Sequence, residues 1–476
     1  MLQEKCYIGG HWVDGKEKFS VANPSTGKVI GHVPKMGRKE THQAIQAAYQ
    51  AYLPWRAMTA KERSLLLKKW HALILEHLEA LAKILTLEQG KPLNEAKGEI
   101  LYGASFVEWF AEEGKRAYGD IIPSPNAHQR LFVMKQPIGV VGAITPWNFP
   151  NAMITRKCAP ALAAGCTVVL KPAEATPFSA LALAKLAEQA GIPAGVLNVI
   201  TGDPAEIGQE MTQNRLVRKI AFTGSTRVGK LLLSQSASSV KKVTLELGGS
   251  APFIVFADAD IKAALPGLIA SKFRNSGQTC ICADRIFVED SIYDSFADAL
   301  AKEVKKLKVG DGFETDVQIG PLINKAGLEK VESQIADALS HGAKTICGGK
   351  RHPLGGNFFE PTVLSHVTPK MRVCYEETFG PVIPLIRFKS EEEVVHMAND
   401  TEYGLASYLY SSDLNRIWRV AEALENGMVS VNGGLFSSEV FPFGGVKESG
   451  IGREGSKYGL DDYLEIKSII LNTVQK

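Results

Sequence analysis

The sequence carries almost no net charge and no long hydrophobic run. Lys and Arg number 54 against 51 Asp and Glu, a formal charge of +3. So even a balance excludes a chain built to grip nucleic acid or an anionic membrane, which needs a clustered excess of basic residues. The nearest approaches to a membrane span are the uncharged stretches 136–155 and 158–170. Pro137, Pro146, Pro150, Asn148 and Asn151 break the first, and the second is short, with Pro160 and Gly165 inside it. Neither offers the roughly 20 continuous apolar residues that a spanning helix needs. An apolar signal core is missing near the start, where Asp14 and Glu17 suit no transit peptide. Cysteine is scarce and odd in number, seven in 476 residues. A disulfide framework is therefore not expected, and a reducing, cytoplasmic location is.

What is present is ordinary globular material, 45% hydrophobic and 22% charged, enough for two to four domains of about 100–200 residues. Residues 59–89 read as a helix opened by a Thr59–Glu62 capping box and stopped at Gly90. A second helical stretch follows Pro92 toward Gly114, and the proline-broken segment 119–138 looks like an excursion between domains. From 138 onward, strand-like runs (138–144, 166–170, 196–200, 219–223, 242–247) alternate with helical ones (151–164, 178–190, 204–213, 226–237). This alternation predicts a parallel sheet covered by helices, with ligands at the carboxyl ends of its strands. A second α/β run extends from about 251 past 430, including a helix over 261–276. The strand-like end of 458–472 has no obvious partner; 119–138 or another subunit could supply one.

Several residues could carry chemistry. Cys280, in FRNSGQTCICADR, follows a helix and a flexible Gly277, with Arg274 and Arg285 nearby to favour a thiolate. The competing reading is an inert small core residue. Asn148, between two prolines past a strand, could donate to a developing oxyanion or simply form a turn. Glu246, at the end of a strand before two glycines, could activate water if burial raised its pKa, or merely pair with a Lys. GSTRVGK at 224–230 imitates a phosphate loop, but Leu231 stands where a magnesium-binding hydroxyl belongs, which argues against an NTPase. Lys171 and Glu174 end another strand and could serve a nucleotide's phosphate and ribose, or be a solvated pair.

Seven motifs then appear in order: PWNFP at 146–150, KPAE at 171–174, FTGSTRVG at 222–229, ELGG at 246–249, GQTC at 277–280, EETFGP at 376–381 and PFGGVKESGIGRE at 442–454. Together they closely resemble the aldehyde dehydrogenase superfamily from about residue 7 to the end. Within it the chain is most similar to the bacterial succinate-semialdehyde branch, through KFRNSGQTCICADR, GPLI, GGNFFEPT, NDTEYGLA and GREGSKYGLDDYLEIK. The resemblance implies an α/β fold of three parts. These are a Rossmann-like dinucleotide-binding domain (1–118 and 141–246), an α/β catalytic domain (247–445) and a small β oligomerisation domain (119–140 and 456–476), the last giving a homo-tetramer or homo-dimer.

It also implies roles. Cys280 attacks the aldehyde, Asn148 holds the oxyanion, Glu246 activates water and Lys157 belongs to their polar surround. NAD (preferred) or NADP, with no metal, is held by Lys171, Glu174, Gly224, Ser225, Gly229 and Glu377, with Trp147 and Phe379 flanking it. Arg156, Arg274 and Ser437 meet the substrate's distant carboxylate. The implied reaction is oxidation of succinate semialdehyde to succinate, as in 4-aminobutyrate breakdown. Glutarate semialdehyde or a broader aldehyde range is the alternative, and a non-catalytic nucleotide-binding role a remote one. Some members of that branch carry the same Cys-x-Cys as a redox switch, which makes Cys282 a redox candidate.

Overall fold

The chain order of the strands in the first sheet already locates a ligand crevice. The computed structural model describes residues 1–436 and 438–472. Its eight-stranded sheet runs Gly450–Ile451, Lys242–Glu246, Val217–Thr223, Val140–Ile144, Thr167–Lys171, Leu197–Val199, Cys6–Ile8, His11–Val13. The five strands from Lys242–Glu246 through Leu197–Val199 are parallel. From Val140–Ile144 the chain builds outward through Thr167–Lys171 and Leu197–Val199, then returns to add Val217–Thr223 on the other side. The order reverses between Val140–Ile144 and Val217–Thr223, and loops there diverge to leave a crevice. Asn148 and Gly224 lie on those two loops.

The strands and helices expected over 138–247 are all present within a residue or two. Two helix readings differ. The stretch 59–89 is two helices, Ala60–Glu76 and Leu78–Gln89, joined at His77. The Thr59–Glu62 capping box and the left-handed Gly90 stop are as expected. The helix read over 261–276 ends at Phe273, because Asn275 (φ 51) and Ser276 (φ 58) are left-handed. The region before residue 38 also holds four short strands that helical periodicity gave no hint of.

A seven-stranded sheet runs Lys344–Cys347, Thr362–Ser365, Val382–Phe388, Ala283–Glu289, Ala251–Val255, Ala406–Tyr410, Met428–Val431, parallel apart from its first pair. The strand Leu464–Asn472 finds its partner within the chain. It pairs antiparallel with Gln129–Pro137, from Leu464 opposite Pro137 to Asn472 opposite Gln129, and Asp120–Ile122 completes this third sheet. Among the described residues no helix is long and apolar enough to cross a membrane.

Candidate active site

The expectation that every motif sits at a strand's carboxyl end holds for the first sheet only. Asn148, Glu246 and Gly224 lie there, but Cys280 precedes Ala283–Glu289 and Glu377 precedes Val382–Phe388. Carboxyl ends of the first sheet meet amino ends of the second, and the site forms between them. Gly249 is where the loops cross: a Cβ on it would fall 2.4 Å from the Cys280 carbonyl oxygen.

Three successive left-handed residues, Asn275, Ser276 and Gly277, carry the chain from its helix to Cys280. Only glycine fits at the third, since a Cβ on Gly277 would lie 2.2 Å from the Gly380 carbonyl oxygen. Ser276 Oγ donates to Gly320 O (2.9 Å), and Gln278 Oε1 accepts from Ile323 N–H (2.9 Å), anchoring the turn from both sides. Cys280 thereby lines a cavity of about 390 Å³ with Asn148, Trp147, Thr223, Leu247 and Glu377.

Asn148 is pinned by its neighbours. Its Nδ2 donates to Gln278 O (3.1 Å), its Oδ1 accepts from Phe149 N–H (3.1 Å), and one amide N–H is left for the cavity. Burial, followed by the Glu377 carboxylate, pushes the Cys280 thiol up to about 12, while Arg156 pulls it down. The positive potential at the sulfur comes from Arg156 and not from Arg285. Arg285 is committed elsewhere, donating to Ser250 O, Met397 O and Ala398 O.

Glu246 is buried, and its Oε2 has no hydrogen-bond partner among the described residues. Burial, reinforced by the nearby Glu454 carboxylate, raises its pKa well above the ordinary carboxylate value. Burial opposes ionisation of Glu454 too, but Lys157 and Arg156 outweigh it and hold that carboxyl below its usual range. Lys157 Nζ pairs with Glu454 Oε1 and donates to Thr223 Oγ1 (2.5 Å).

Arg156 Nη2 lies 2.8 Å from Glu454 Oε2, but the alignment makes no hydrogen bond; neither Nε nor Nη2 has a hydrogen-bond partner among the described residues. The guanidinium stacks 4.1 Å from the Phe443 ring centre. Arg274 lies 4.7 Å from the Phe149 ring centre and lines a separate cleft of about 650 Å³ with Glu95 and Leu435. The Tyr102 phenol feels the charges of both arginines and of Cys280, which places all four in one neighbourhood. Ser437 lies outside the described residues.

On the cofactor side, Trp147 and Phe379 face each other edge-on at 5.4 Å, and Glu377 Oε1 accepts from Gly249 N–H (3.0 Å). Burial, against that hydrogen bond, raises the Glu377 carboxyl to about 7. Ser225 caps the helix Thr226–Ser236, and its neighbour Gly224 donates N–H to Glu246 O (3.0 Å). Gly229 faces the protein interior, where a Cβ would fall 2.4 Å from Leu247 Cδ2, so it lets helix and strand pack closely. Lys171 pairs with Glu174 at the strand end, the lysine buried and the glutamate side chain 44% exposed. Cys282 is buried, with Sγ donating to Lys272 O (3.3 Å), and burial pushes its thiol up to about 12.

A cysteine and an amide donor lining one cavity, near a buried carboxylate and at the switch point of a parallel sheet, fit the geometry expected of covalent aldehyde oxidation. Residues 12–469 match the model of the aldehyde dehydrogenase family. The chain belongs to that family. Among its aldehyde dehydrogenase relatives, the succinate-semialdehyde dehydrogenase [NADP(+)] of Escherichia coli K12 is 60% identical over 98% of this chain and 97% of its own. The glutarate-semialdehyde dehydrogenase of Pseudomonas aeruginosa is 58% identical over 100% and 99%. The crystal structure of succinate-semialdehyde dehydrogenase from Burkholderia pseudomallei superposes with a TM-score of 0.99, at 62% identity over 99% of this chain and 98% of that one. As in the family, the enzyme is NAD(P)-dependent.

Lys91, Glu99, Asn275, Gln278 and Glu454 also belong to this aldehyde dehydrogenase site, and reading the sequence alone assigned none of them a role. Glu454 had a signal, since it ends the last motif. Lys91 and Glu99 had none, the first being a lysine in the short break between two helices and the second a glutamate within the next helix.

Proposed function

We propose that this protein oxidises a short aldehyde bearing a terminal carboxylate, succinate semialdehyde first, to the diacid. The observation that carries the reading is Arg156. Its buried guanidinium is ion-paired to Glu454 through Nη2, and its Nε has no hydrogen-bond partner among the described residues, which leaves a donor for a substrate carboxylate beside a catalytic-type cysteine. Arg274 and Ser437 are proposed to complete that grip.

Cys280 Sγ adds to the aldehyde carbon, giving a thiohemiacetal whose oxyanion takes hydrogen bonds from Asn148 Nδ2 and the Cys280 backbone N–H. The cavity suits a dinucleotide: two aromatic rings flank it, and Gly248 adds no side chain against Glu377, whose Oε2 a Cβ there would crowd at 3.1 Å. Trp147, Lys171, Glu174, Gly224, Ser225, Glu377 and Phe379 would hold NAD(P), which would supply the hydride acceptor that conversion of the Cys280 thiohemiacetal to a thioester requires. Glu246, its proton affinity raised, takes a proton from water as the water attacks that thioester; the acyl C–S bond breaks, the Cys280 thiolate is regenerated and the acid leaves.

Glutarate semialdehyde is the second reading, favoured by the Pseudomonas aeruginosa relative's name. One methylene changes pocket discrimination by only about 1–3 kcal/mol. We further propose that the chain divides at the boundaries given by the resemblance, and that it works in the cytoplasm as a homo-dimer or homo-tetramer. Ile122, Ile466 and Ile470, at 45%, 70% and 59% exposure on one side of the third sheet, supply an apolar face for assembly. The deciding experiment follows NAD(P)H at 340 nm over aldehydes of graded length and terminal charge. Succinate semialdehyde should give the highest kcat/KM. Equal rates with uncharged aldehydes of the same length would overturn the assignment.

A further inference from the structure

The carbonyl oxygen of Asn148 points away from the cavity into a buried cluster of charge. It accepts from Lys91 Nζ (2.7 Å) and from Asn275 Nδ2 (3.0 Å). Lys91 is 2% exposed, so an ammonium has been taken almost fully out of water to reach this carbonyl. Its other directions are filled as well. Nζ donates to Glu99 Oε2 (2.6 Å) and lies 3.8 Å from the centre of the Phe149 ring, the residue after Asn148. Glu99 uses its second oxygen on the same loop, accepting from Asn151 N–H (2.9 Å) and Ala152 N–H (3.2 Å) at the start of the next helix. Lys91 and Glu99 therefore grip the segment 148–152 at both ends. Asn275 ties it to the turn that presents Cys280, because the same Nδ2 also donates to Gln278 O (3.2 Å).

We propose that Lys91, held by Glu99, is a positioning residue for the oxyanion donor. It touches neither substrate nor cofactor. It fixes the Asn148 peptide, and so the direction of the one amide N–H that Asn148 has free for the cavity. A buried ion pair is a poor device for stability alone, since its desolvation offsets most of its attraction. It is well suited to holding one geometry, and catalysis is sensitive to that: a displacement of about 1 Å at a reacting group costs on the order of a hundredfold in rate. The inference rests on the assignment of Asn148 to the oxyanion.

Lys91→Met alone would strand the Glu99 charge and could unfold the chain. The test therefore uses Lys91→Met/Glu99→Gln, which removes both charges and keeps an acceptor for the Asn151 and Ala152 amides. In the parent background kcat should fall tenfold or more, approaching about a hundredfold, with KM for the aldehyde and NAD(P) affinity nearly unchanged. In an Asn148→Ala background the same pair of changes should cost less than about twofold, because the group being positioned is gone. Lys91→Arg, which retains charge and donors, should recover part of kcat. An equal fold-loss in both backgrounds, or parental kcat in the double variant, overturns the positioning role and leaves the oxyanion assignment standing. Parental kcat for Asn148→Ala alone overturns both.

Discussion

Glu246 and Glu454 share one buried environment, yet the cations sit with Glu454. Lys157 and Arg156 both contact Glu454 and keep it ionised, and its negative charge adds to burial in raising the proton affinity of Glu246. Two carboxylates pushed apart in this way are suited to different tasks: Glu454 to a fixed charge and Glu246, in the proposed mechanism, to a base that takes up and releases protons.

Activity is therefore expected to rise with pH. In the proposed mechanism Cys280 and Glu246 both act after losing a proton, and burial raises both pKa values. The active forms grow as pH increases, so kcat/KM should climb from about pH 6 to about pH 9. A pH–rate profile that is flat or falling over that span contradicts the assignment.

Glu246→Gln should slow hydrolysis of the thioester more than its formation. We expect kcat to drop by about 10²–10⁴-fold, with a rapid first turnover of NAD(P)H per site preceding the slow steady state. Cys280→Ala should abolish turnover and leave cofactor affinity intact, as titrated by fluorescence. A Cys280→Ala enzyme that still turns over would falsify the covalent route.

NAD preference is proposed to rest on Glu174. Facing the 2′-phosphate of NADP at about 4 Å, a like charge costs about 1 kcal/mol in water and about 4 at an effective dielectric of 20. With Glu174 partly exposed and paired to Lys171, the lower figure applies, a discrimination of about fivefold. Glu174→Ser should move the ratio of kcat/KM toward NADP by that factor. The idea sinks on equal efficiency with both cofactors in the parent.

Loss of the arginines should be read on two aldehydes. Arg156→Ala and Arg274→Ala each remove a charged hydrogen bond, about 1.5–3 kcal/mol. KM for succinate semialdehyde should rise tenfold or more, while an uncharged aldehyde of similar length is little affected. Equal losses on both would mean that the arginines serve the fold, as the Arg156–Glu454 pairing also permits.

Mild peroxide is expected to inactivate the enzyme, with dithiothreitol restoring it, through capture of a Cys280 sulfenic acid by Cys282. The Cys282 thiol must leave the Lys272 carbonyl to reach it. Cys282→Ala should lose the recovery. Full thiol-reversibility in that variant removes Cys282 from the process.

Much of the fold was legible because periodicity records which face of each segment is buried. The strands over 138–247 and the Thr59–Glu62 cap are local facts, written in neighbouring residues. The end of the helix at Phe273 is not. Asn275 and Ser276 are weak helix formers, which allows a stop but does not fix where it falls; Glu95 accepting from Asn275 N–H (2.8 Å) and Gly320 accepting from Ser276 Oγ hold them left-handed.

The candidate site divides along the same line. Cys280, Asn148 and Glu246 were singled out by their motifs and given roles by the family resemblance those motifs carry, and the amino-acid order alone determined the alternating α/β architecture. Which charges govern them was decided only by the tertiary structure. Lys157 and Glu454 stand 297 positions apart, and Lys91 and Asn148 stand 57 apart. Neither separation leaves a trace in local patterning. Electrostatic interactions act through space at low local dielectric, so the pKa of Glu246 and the aim of Asn148 depend on where the topology brings distant charges together.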